Sequence, residues 1–290
     1  MNALIFGANG QDGCYLHELC KAKGIKPLGV SRSGDWIRGD VSDYKQVEEL
    51  VKKYKPTYLF HLAATSTTRH DALFENHAAI STGTLNILES VYKHSPTSKV
   101  FITGSGVQFY NDGNPISEDT AFEASSAYAI ARIQSVYAAR YYRILGIKAY
   151  VGYLFHHESP LRKPNHVSQK IVLAAKRIAH GSEEKLQIGD INVEKEWTFA
   201  GDVAEGIMTL VEQENVFEAV IGSGKTHSIK DWIEVCFLHL GLDWTRYLEQ
   251  AENFQPEYKR LVSNPALMDS LHWQPKIDLR QLAAMMIEAI

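Results

Sequence analysis

A glycine-spaced turn directly behind the first apolar run constrains this chain more than any other feature. Ala3-Leu-Ile-Phe6 stops at Gly7-Ala-Asn-Gly10-Gln-Asp-Gly13, and Gln11 to Lys23 then sets Tyr15, Leu16, Leu19 and Cys20 at helical spacing before Gly24. A short, continuous apolar run that ends at glycine reads as a buried parallel strand. Gly7 suits a tight turn, Gly10 lets backbone approach a pyrophosphate, and Gly13 lets helix pack on strand. The helix start offers free N–H groups and the positive end of the helix dipole to phosphate. Strand, turn and helix in first position predict a dinucleotide cradle, here in GxxGxxG spacing.

The unit then repeats. Leu28-Gly-Val30, Tyr58-Leu-Phe60, Lys99-Val-Phe-Ile102 and Ile147 to Leu154 read as strands. Between them Val47, Leu50, Val51 and Tyr54, then Ala78 to Tyr92, then Tyr128 to Leu145 read as helices. This rhythm predicts an α/β fold, a doubly wound parallel sheet with helices on both faces. After residue 155 it loosens: Val167 to Ala179, Val203 to Glu212, Ile229 to Leu240 and Leu279 to Ile290 read as helices, and Phe217 to Ile221 as one more sheet strand. No linker divides the 290 residues. We expect a dinucleotide-binding domain over 1–155, receiving the strand near 217–221, and a smaller interleaved substrate-binding lobe over 156–290.

Composition narrows the class. Hydrophobic residues are 45% and charged residues 22% of the chain, which excludes disorder and fibrous repeats. The net charge of −4 argues against a nucleic-acid surface, and no apolar run reaches the ~20 residues of a membrane helix. Cys14, Cys20 and Cys236 have neither metal-ligand nor disulfide spacing, which suits reducing cytoplasm. His156 and His157 are adjacent, but there is no HExxH and no cysteine pair, so no metal is expected. Gly222-Ser-Gly-Lys-Thr226 lacks full P-loop spacing and reads as a loop.

The end of the second strand bears on the cofactor. An acidic residue there would bind the ribose hydroxyl of NAD, whereas arginine accommodates the extra phosphate of NADP. Val30-Ser31-Arg32-Ser33-Gly34 carries Arg32 between two serines, with no carboxylate before Asp35, and so favours NADP over NAD.

With that turn, Gly39-Asp-Val41, His61-Leu-Ala-Ala64 and the helix from Tyr128, the chain resembles extended short-chain dehydrogenases/reductases nearly end to end, which implies a Rossmann-type fold. The resemblance implies adenine contact by Asp40, with Val41 beside it, and a cofactor wall from Leu62, Ala63 and Ala64. It places Gln11, Asp12 and His157 at the cofactor with Gly7, Gly10 and Gly13. Gly7 to Leu16 is closer still to the GxxGQDGxYL turn of GDP-mannose 4,6-dehydratases.

More specific motifs follow. Leu154-Phe-His-His-Glu-Ser-Pro160-Leu-Arg162, then Val167 and Lys170, resembles the dehydratases' LFNHESPRR segment. The resemblance implies sugar-nucleotide contacts by His156, Arg162, Val167 and Lys170, and by Ser66. Leu186-Gln-Ile-Gly-Asp…Lys195-Glu-Trp197 resembles LxLGNLDAxRDW, so Lys195 stands where a diphosphate-binding arginine would. Gln255-Pro-Glu-Tyr-Lys-Arg260 resembles PxYxRP, which implies the same role for Arg260. Arginine forks match phosphate oxygens, so these residues fit a nucleotide-diphosphate sugar, a GDP-sugar favoured.

The catalytic set departs from that family. Its tyrosine and lysine four apart on one helix appear as Tyr128-Ala-Ile-Ala-Arg132, both on one helical face. Arginine keeps the charge but never gives up a proton. In that family the pair also meets the nicotinamide ribose, so the resemblance implies cofactor contact by Tyr128 and Arg132 as well. The family's Ser-Thr-Ser-Glu-x-Tyr-Gly appears as Ser105-Gly-Val-Gln-Phe-Tyr-Asn111, so the threonine is Gly106 and the C5 base is Gln108. A neutral amide is no general base. Tyr128, Arg132, Ser105 and Gln108 therefore fit hydride transfer at sugar C4, as in a 4-keto reductase or dehydrogenase, which needs no C5 base. The alternatives are a dehydratase with its base relocated to Glu118, Asp119 or Glu123, and a non-catalytic cofactor and sugar-nucleotide binder. The resemblance also implies a homodimer through the helices from Ala78 and Tyr128. The loop between Val30 and Asp40 is too short for the family's tetramer-building loop.

Overall fold

A computed structural model of the chain describes residues 1–65, 67–251 and 254–289. Strands β1 (Asn2–Phe6), β2 (Lys26–Ser31), β3 (Ile37–Arg38), β4 (Tyr58–His61), β5 (Lys99–Ser105) and β6 (Lys148–Leu154) join Glu218–Ile221 in one parallel sheet. Its order, from Glu218–Ile221 through β6, β5, β4, β1 and β2 to β3, reverses direction at β1. That reversal opens a crevice at the carboxyl ends of the strands, where such sheets take ligands.

Strand alternation fills both faces. Leu4 and Phe6 of β1 enter one core with α2 (Tyr44–Tyr54) and the helices Gly83–His94 and Ala127–Ile144. Ala3 and Ile5 enter the other with α1 (Gln11–Ala22) and the helix Ala200–Val211. The chain thus returns from the second half to cover the sheet at 200–211 and to extend it at 218–221. A third core of Trp197, Trp232, Phe237, Leu282 and Met286 joins the helices Val167–Ala179, Ile229–His239 and Leu279–Glu288 into a lobe beside the crevice.

Two local expectations are refined. The helix expected from Ala78 opens with a π-helical turn, His77–Thr82, before Gly83–His94. The Ile80 carbonyl accepts from the Thr84 hydroxyl at 2.7 Å and the Ser135 hydroxyl at 3.2 Å, and faces His61 Nε2 at 3.3 Å. Of the expected loop at 222–226, Thr226 begins a short strand, Thr226–Ser228, antiparallel to Glu194–Glu196. The buried Glu196 carboxylate holds the remainder, accepting from the Ser223 and Gly224 N–H groups.

Candidate active site

The glycine turn forms one end of a cleft of about 520 Å³. Gly7 has φ +90°, and a Cβ there would lie 2.6 Å from the Ala63 nitrogen, so only glycine lets the turn meet the end of β4. Gly10 caps α1 with no side-chain hydrogen bond to the first-turn N–H groups, which leaves those donors to a ligand. Gly7, Gly10, Gln11, Asp12, Gly13, Arg32, Asp40, Val41, Leu62, Ala63 and Ala64 all line this cleft. Residues that are eleven positions of one expectation in sequence are thus one surface in space. Ser66, expected at the sugar nucleotide, lies outside the described residues.

At the β2 end, Arg32 is largely exposed, its Nη1 4.0 Å from Asp40 Oδ2. Asp40 Oδ1 accepts from the Ser42 N–H at 2.9 Å and its hydroxyl at 2.7 Å, which fixes the carboxylate. The Asn9 amide donates to Ser33 Oγ at 3.2 Å and its oxygen accepts from Trp36 Nε1 at 3.4 Å. Ser33, expected beside Arg32 at the 2′-phosphate, lines the cleft, and so does Asn9, to which sequence reading gave no ligand role.

The Gln-Asp pair of the turn grips the second lobe. Gln11 Oε1 accepts from the Ser159 hydroxyl at 2.9 Å, and Asp12 Oδ1 lies 2.9 Å from His157 Nε2. His157 Nδ1 faces the Phe155 carbonyl at 2.7 Å, so both ring nitrogens meet acceptors, the arrangement of an imidazolium. Burial disfavours that charge, but Asp12 outweighs it and raises the His157 pKa. Burial alone would raise the Asp12 carboxyl; His157 and Arg162 hold it below its usual range. His157, expected at the cofactor, thus meets Asp12 and is not among the residues lining the cleft.

The residues expected around the sugar nucleotide separate. Arg162 lies on the wall of the dinucleotide cleft, with Lys163, Asn165 and His166, which sequence reading passed over. His156 is tied at both nitrogens, Nδ1 to the Glu196 carbonyl at 2.6 Å and Nε2 to Glu158 Oε1 at 2.8 Å, leaving the ring no free polar atom for a ligand. Lys195 is buried, its ammonium 4.8 Å from the Trp197 ring centre. Burial pushes its pKa down to about 8, against the pull of Glu158. Lys170 Nζ donates to the Gln187 carbonyl at 2.6 Å on the surface, and Val167 opens the same helix. Arg260 pairs with Glu194 at 3.2 Å and lines a second cavity of about 320 Å³ with Val107, Phe109, Glu123 and Tyr258.

Among the residues expected to be catalytic, Tyr128 sits at the start of a helix that Ser126 caps by accepting from the Ala129 N–H at 3.1 Å. Tyr128 is half-buried, and neither it nor Arg132, both expected at the cofactor, is among the residues lining the dinucleotide cleft. Arg132 is buried, its guanidinium 4.9 Å from the Tyr128 ring centre and its Nη1 donating to the Thr103 carbonyl at 2.5 Å. Ser105 and Gln108 cap each other's turn: the Gln108 Oε1 accepts from the Ser105 N–H at 2.8 Å, and the Ser105 side chain accepts from the Gln108 N–H. Gln108 is fully buried. A Cβ at Gly106 would lie 2.9 Å from the Phe155 ring, so Phe155 occupies space a threonine there would need. Of the relocated-base candidates, Glu118 already accepts from the Val220 N–H at 2.7 Å. Glu123 donates its own N–H to the Gln108 carbonyl at 2.8 Å and lines the second cavity. Among the described residues no group of three or more His, Cys, Asp or Glu is placed to hold a metal, and no helix is long and apolar enough to cross a membrane.

A family model described as GDP-mannose 4,6 dehydratase matches residues 32–286. GDP-mannose 4,6 dehydratase 1 of Arabidopsis thaliana is 30% identical, the match covering 99% of this chain and 88% of the relative. The structure of RMD from Pseudomonas aeruginosa complexed with NADPH superposes with a TM-score of 0.88 at 19% identity, covering 99% of this chain and 98% of that one. The dTDP-glucose 4,6-dehydratase of Bacillus anthracis in complex with NAD gives 0.87 at 19%, covering 100% and 96%. At those identities the two structures speak for the fold.

Proposed function

The chain belongs to the GDP-mannose 4,6-dehydratase family, a nucleotide-sugar enzyme of Rossmann fold, and we propose that it oxidises or reduces C4 of a GDP-linked hexose or heptose with NADP, without dehydrating the sugar. The observation that carries this reading is Gln108. The residue in the place of the C5 base is an amide, fully buried and committed to its own turn, whereas Tyr128 stays half-exposed at its helix start.

The residues fit a nicotinamide dinucleotide: an uncapped helix N-terminus faces the cleft, and Arg32 stands at its β2 end. When bound, that cofactor supplies or accepts the hydride. The N–H groups of α1 hold phosphate, Arg32 with Ser31 and Ser33 favours NADP over NAD, and Leu62, Ala63 and Ala64 keep water from one wall. Tyr128 gives a proton to the C4 oxygen or takes it away. Arg132, fixed by the Thr103 carbonyl, keeps a permanent positive charge beside that phenol. Lys195 and Arg260 are the cations of the substrate side.

One observation favours a second reading. Glu123 sits against the Gln108 backbone on the second cavity, where a relocated base would make the protein a dehydratase. The two are separated by giving purified protein GDP-mannose with NADP, and in parallel a GDP-4-keto-6-deoxyhexose with NADPH, with products read by mass spectrometry. The C4 reading expects NADPH oxidation and a reduced sugar in the second mixture. Loss of water from GDP-mannose at ordinary enzyme rates overturns it.

The quaternary reading is a homodimer. Leu85 and Tyr92 on one helix, with Ile130, Tyr137, Tyr141 and Ile144 on the next, leave a continuous apolar face exposed, the kind of surface a second copy covers. Cytoplasmic location remains the reading of the three free thiols.

A further inference from the structure

We propose that Glu158 is a positioning residue for the dinucleotide: its carboxylate fixes the Arg162 guanidinium on the cleft wall, so that the remaining N–H groups of Arg162 meet a cofactor phosphate. This rests on the dinucleotide reading of the cleft. His157 and Glu158 form a two-residue strand beside Thr198–Phe199, and neighbours on a strand point to opposite sides. His157 takes the side of Asp12 and α1. Glu158, 1% exposed, takes the other and meets Arg162 Nε at 2.6 Å and His156 Nε2 at 2.8 Å.

Arg162 is thereby held at two points, since its Nη2 also donates to the His157 carbonyl. A guanidinium has five N–H donors. Two are engaged with the protein, and the side chain lines the dinucleotide cleft, so the others are free for an anion. Without a carboxylate at 158 the side chain would keep its charge but lose the contact that sets its plane. Fork recognition of phosphate depends on that plane.

The charge balance points the same way. Burial alone would raise the Glu158 carboxyl, yet His156, Arg162 and Lys195 hold it far below its usual range. Glu158 and Asp12 both face the permanent charge of Arg162, Asp12 is matched by His157, and the buried ammonium of Lys195 adds to the cluster, so positive charge stays in excess there. Removing an ion-pair partner in such a place costs more than a surface contact does.

The test is a double-mutant cycle on NADPH affinity, read by the fluorescence of the bound nucleotide, with thermal unfolding followed for each protein. Glu158→Gln and Arg162→Ala each weaken NADPH binding about tenfold or more. The double variant binds no more weakly than Arg162→Ala alone, because the glutamate acts through the arginine. Losses that multiply overturn the proposal, as does wild-type affinity in Glu158→Gln. Arg162→Lys keeps the core carboxylate and tests the same point should Glu158→Gln not fold. It binds within about threefold of Arg162→Ala if the held fork is what matters, and wild-type affinity in it overturns the proposal. Wild-type protein that binds neither NADPH nor NADH refutes the dinucleotide reading itself, a result distinct from a binding protein insensitive to Glu158.

Discussion

The Gln108 side-chain oxygen accepts the Ser105 backbone N–H at 2.8 Å, which turns the end of β5 into a self-capped turn. A glutamate at 108 would keep that acceptor but place a second carboxylate oxygen where the buried amide nitrogen finds no partner among the described residues. Gln108→Glu is therefore expected to cost about 1–3 kcal/mol of stability, by urea unfolding, and to gain no dehydration of GDP-mannose. The cost grows from pH 4 to pH 7, because burial raises the folded carboxyl above the unfolded value and the penalty appears as the unfolded glutamate ionises. Dehydration at ordinary rates in this variant would mean that residue 108 reaches the sugar.

Tyr128→Phe removes the proton-bearing oxygen and keeps the ring on which Arg132 rests. Turnover of a GDP-4-keto sugar is expected to fall about 10²–10⁴-fold. NADPH affinity should stay near wild type in fluorescence titration, since Tyr128 does not line the dinucleotide cleft. Unchanged turnover would move the proton from Tyr128 to another group, whereas wild-type protein that turns over no sugar nucleotide would leave a non-enzymic binder as the better reading.

The fold was legible because its determinants are local. Ala3 to Phe6 and Leu28 to Val30 are strands by apolar run, and Gly7 to Gly13 is a turn by glycine spacing, so the residues of the cleft near α1 could be named from the chain alone. The π-turn at His77–Thr82 was not legible, since what secures the Ile80 carbonyl comes from His61 and Ser135, distant in sequence. Nor was the division of the cations. Family order put His156, Arg162 and Lys195 in one ligand set, but Glu158 spends two sides of that set on itself. Arg162 faces the dinucleotide cleft because His157 and Ser159 are tied to Asp12 and Gln11, contacts spanning more than a hundred residues. The carboxylate in the His-Glu-Ser segment was the available signal for such a hub.

Lys195 gives a pH signature. Burial holds its folded pKa near 8, below its ordinary 10.5, so the folded protein carries a costly ammonium below pH 8. Between pH 8 and 10.5 the unfolded chain binds more protons at this residue than the folded one, and stability therefore rises with pH across that window. The contribution amounts to at most about 3 kcal/mol. Urea unfolding of wild type and Lys195→Met from pH 7 to 10.5 should show the difference between them shifting in favour of wild type as pH rises. A difference that stays flat would place the ammonium in better solvated or better paired surroundings.

Arg32 is exposed at the β2 end of the cleft and its Nη1 is 4.0 Å from Asp40, too far for a tight pair, so its charge is available to a ligand. Arg32→Ala should weaken NADPH binding about tenfold or more, while NADH affinity changes little, because only NADPH carries the ribose phosphate. Equal losses for both nucleotides would assign Arg32 to a part of the dinucleotide common to them.

The exposed apolar face on Gly83–His94 and Ala127–Ile144 predicts a dimer. Tyr137, Tyr141 and Ile144 recur at helical spacing and are 58%, 56% and 83% exposed, and Leu85 and Tyr92 continue the stripe on the neighbouring helix. A monomer would leave these side chains in water, whereas two copies related by a twofold axis would bury each stripe against its equal. Tyr141→Asp with Ile144→Asp puts two carboxylates in that seam and touches no residue of the dinucleotide cleft. Light scattering after size exclusion should give twice the 32.6 kDa chain mass for wild type and the single chain mass for the variant. NADPH affinity should be retained in the monomer, because the cleft is built from one chain. A wild-type protein that is monomeric at micromolar concentration would refute the dimer and leave the stripe open to a different partner.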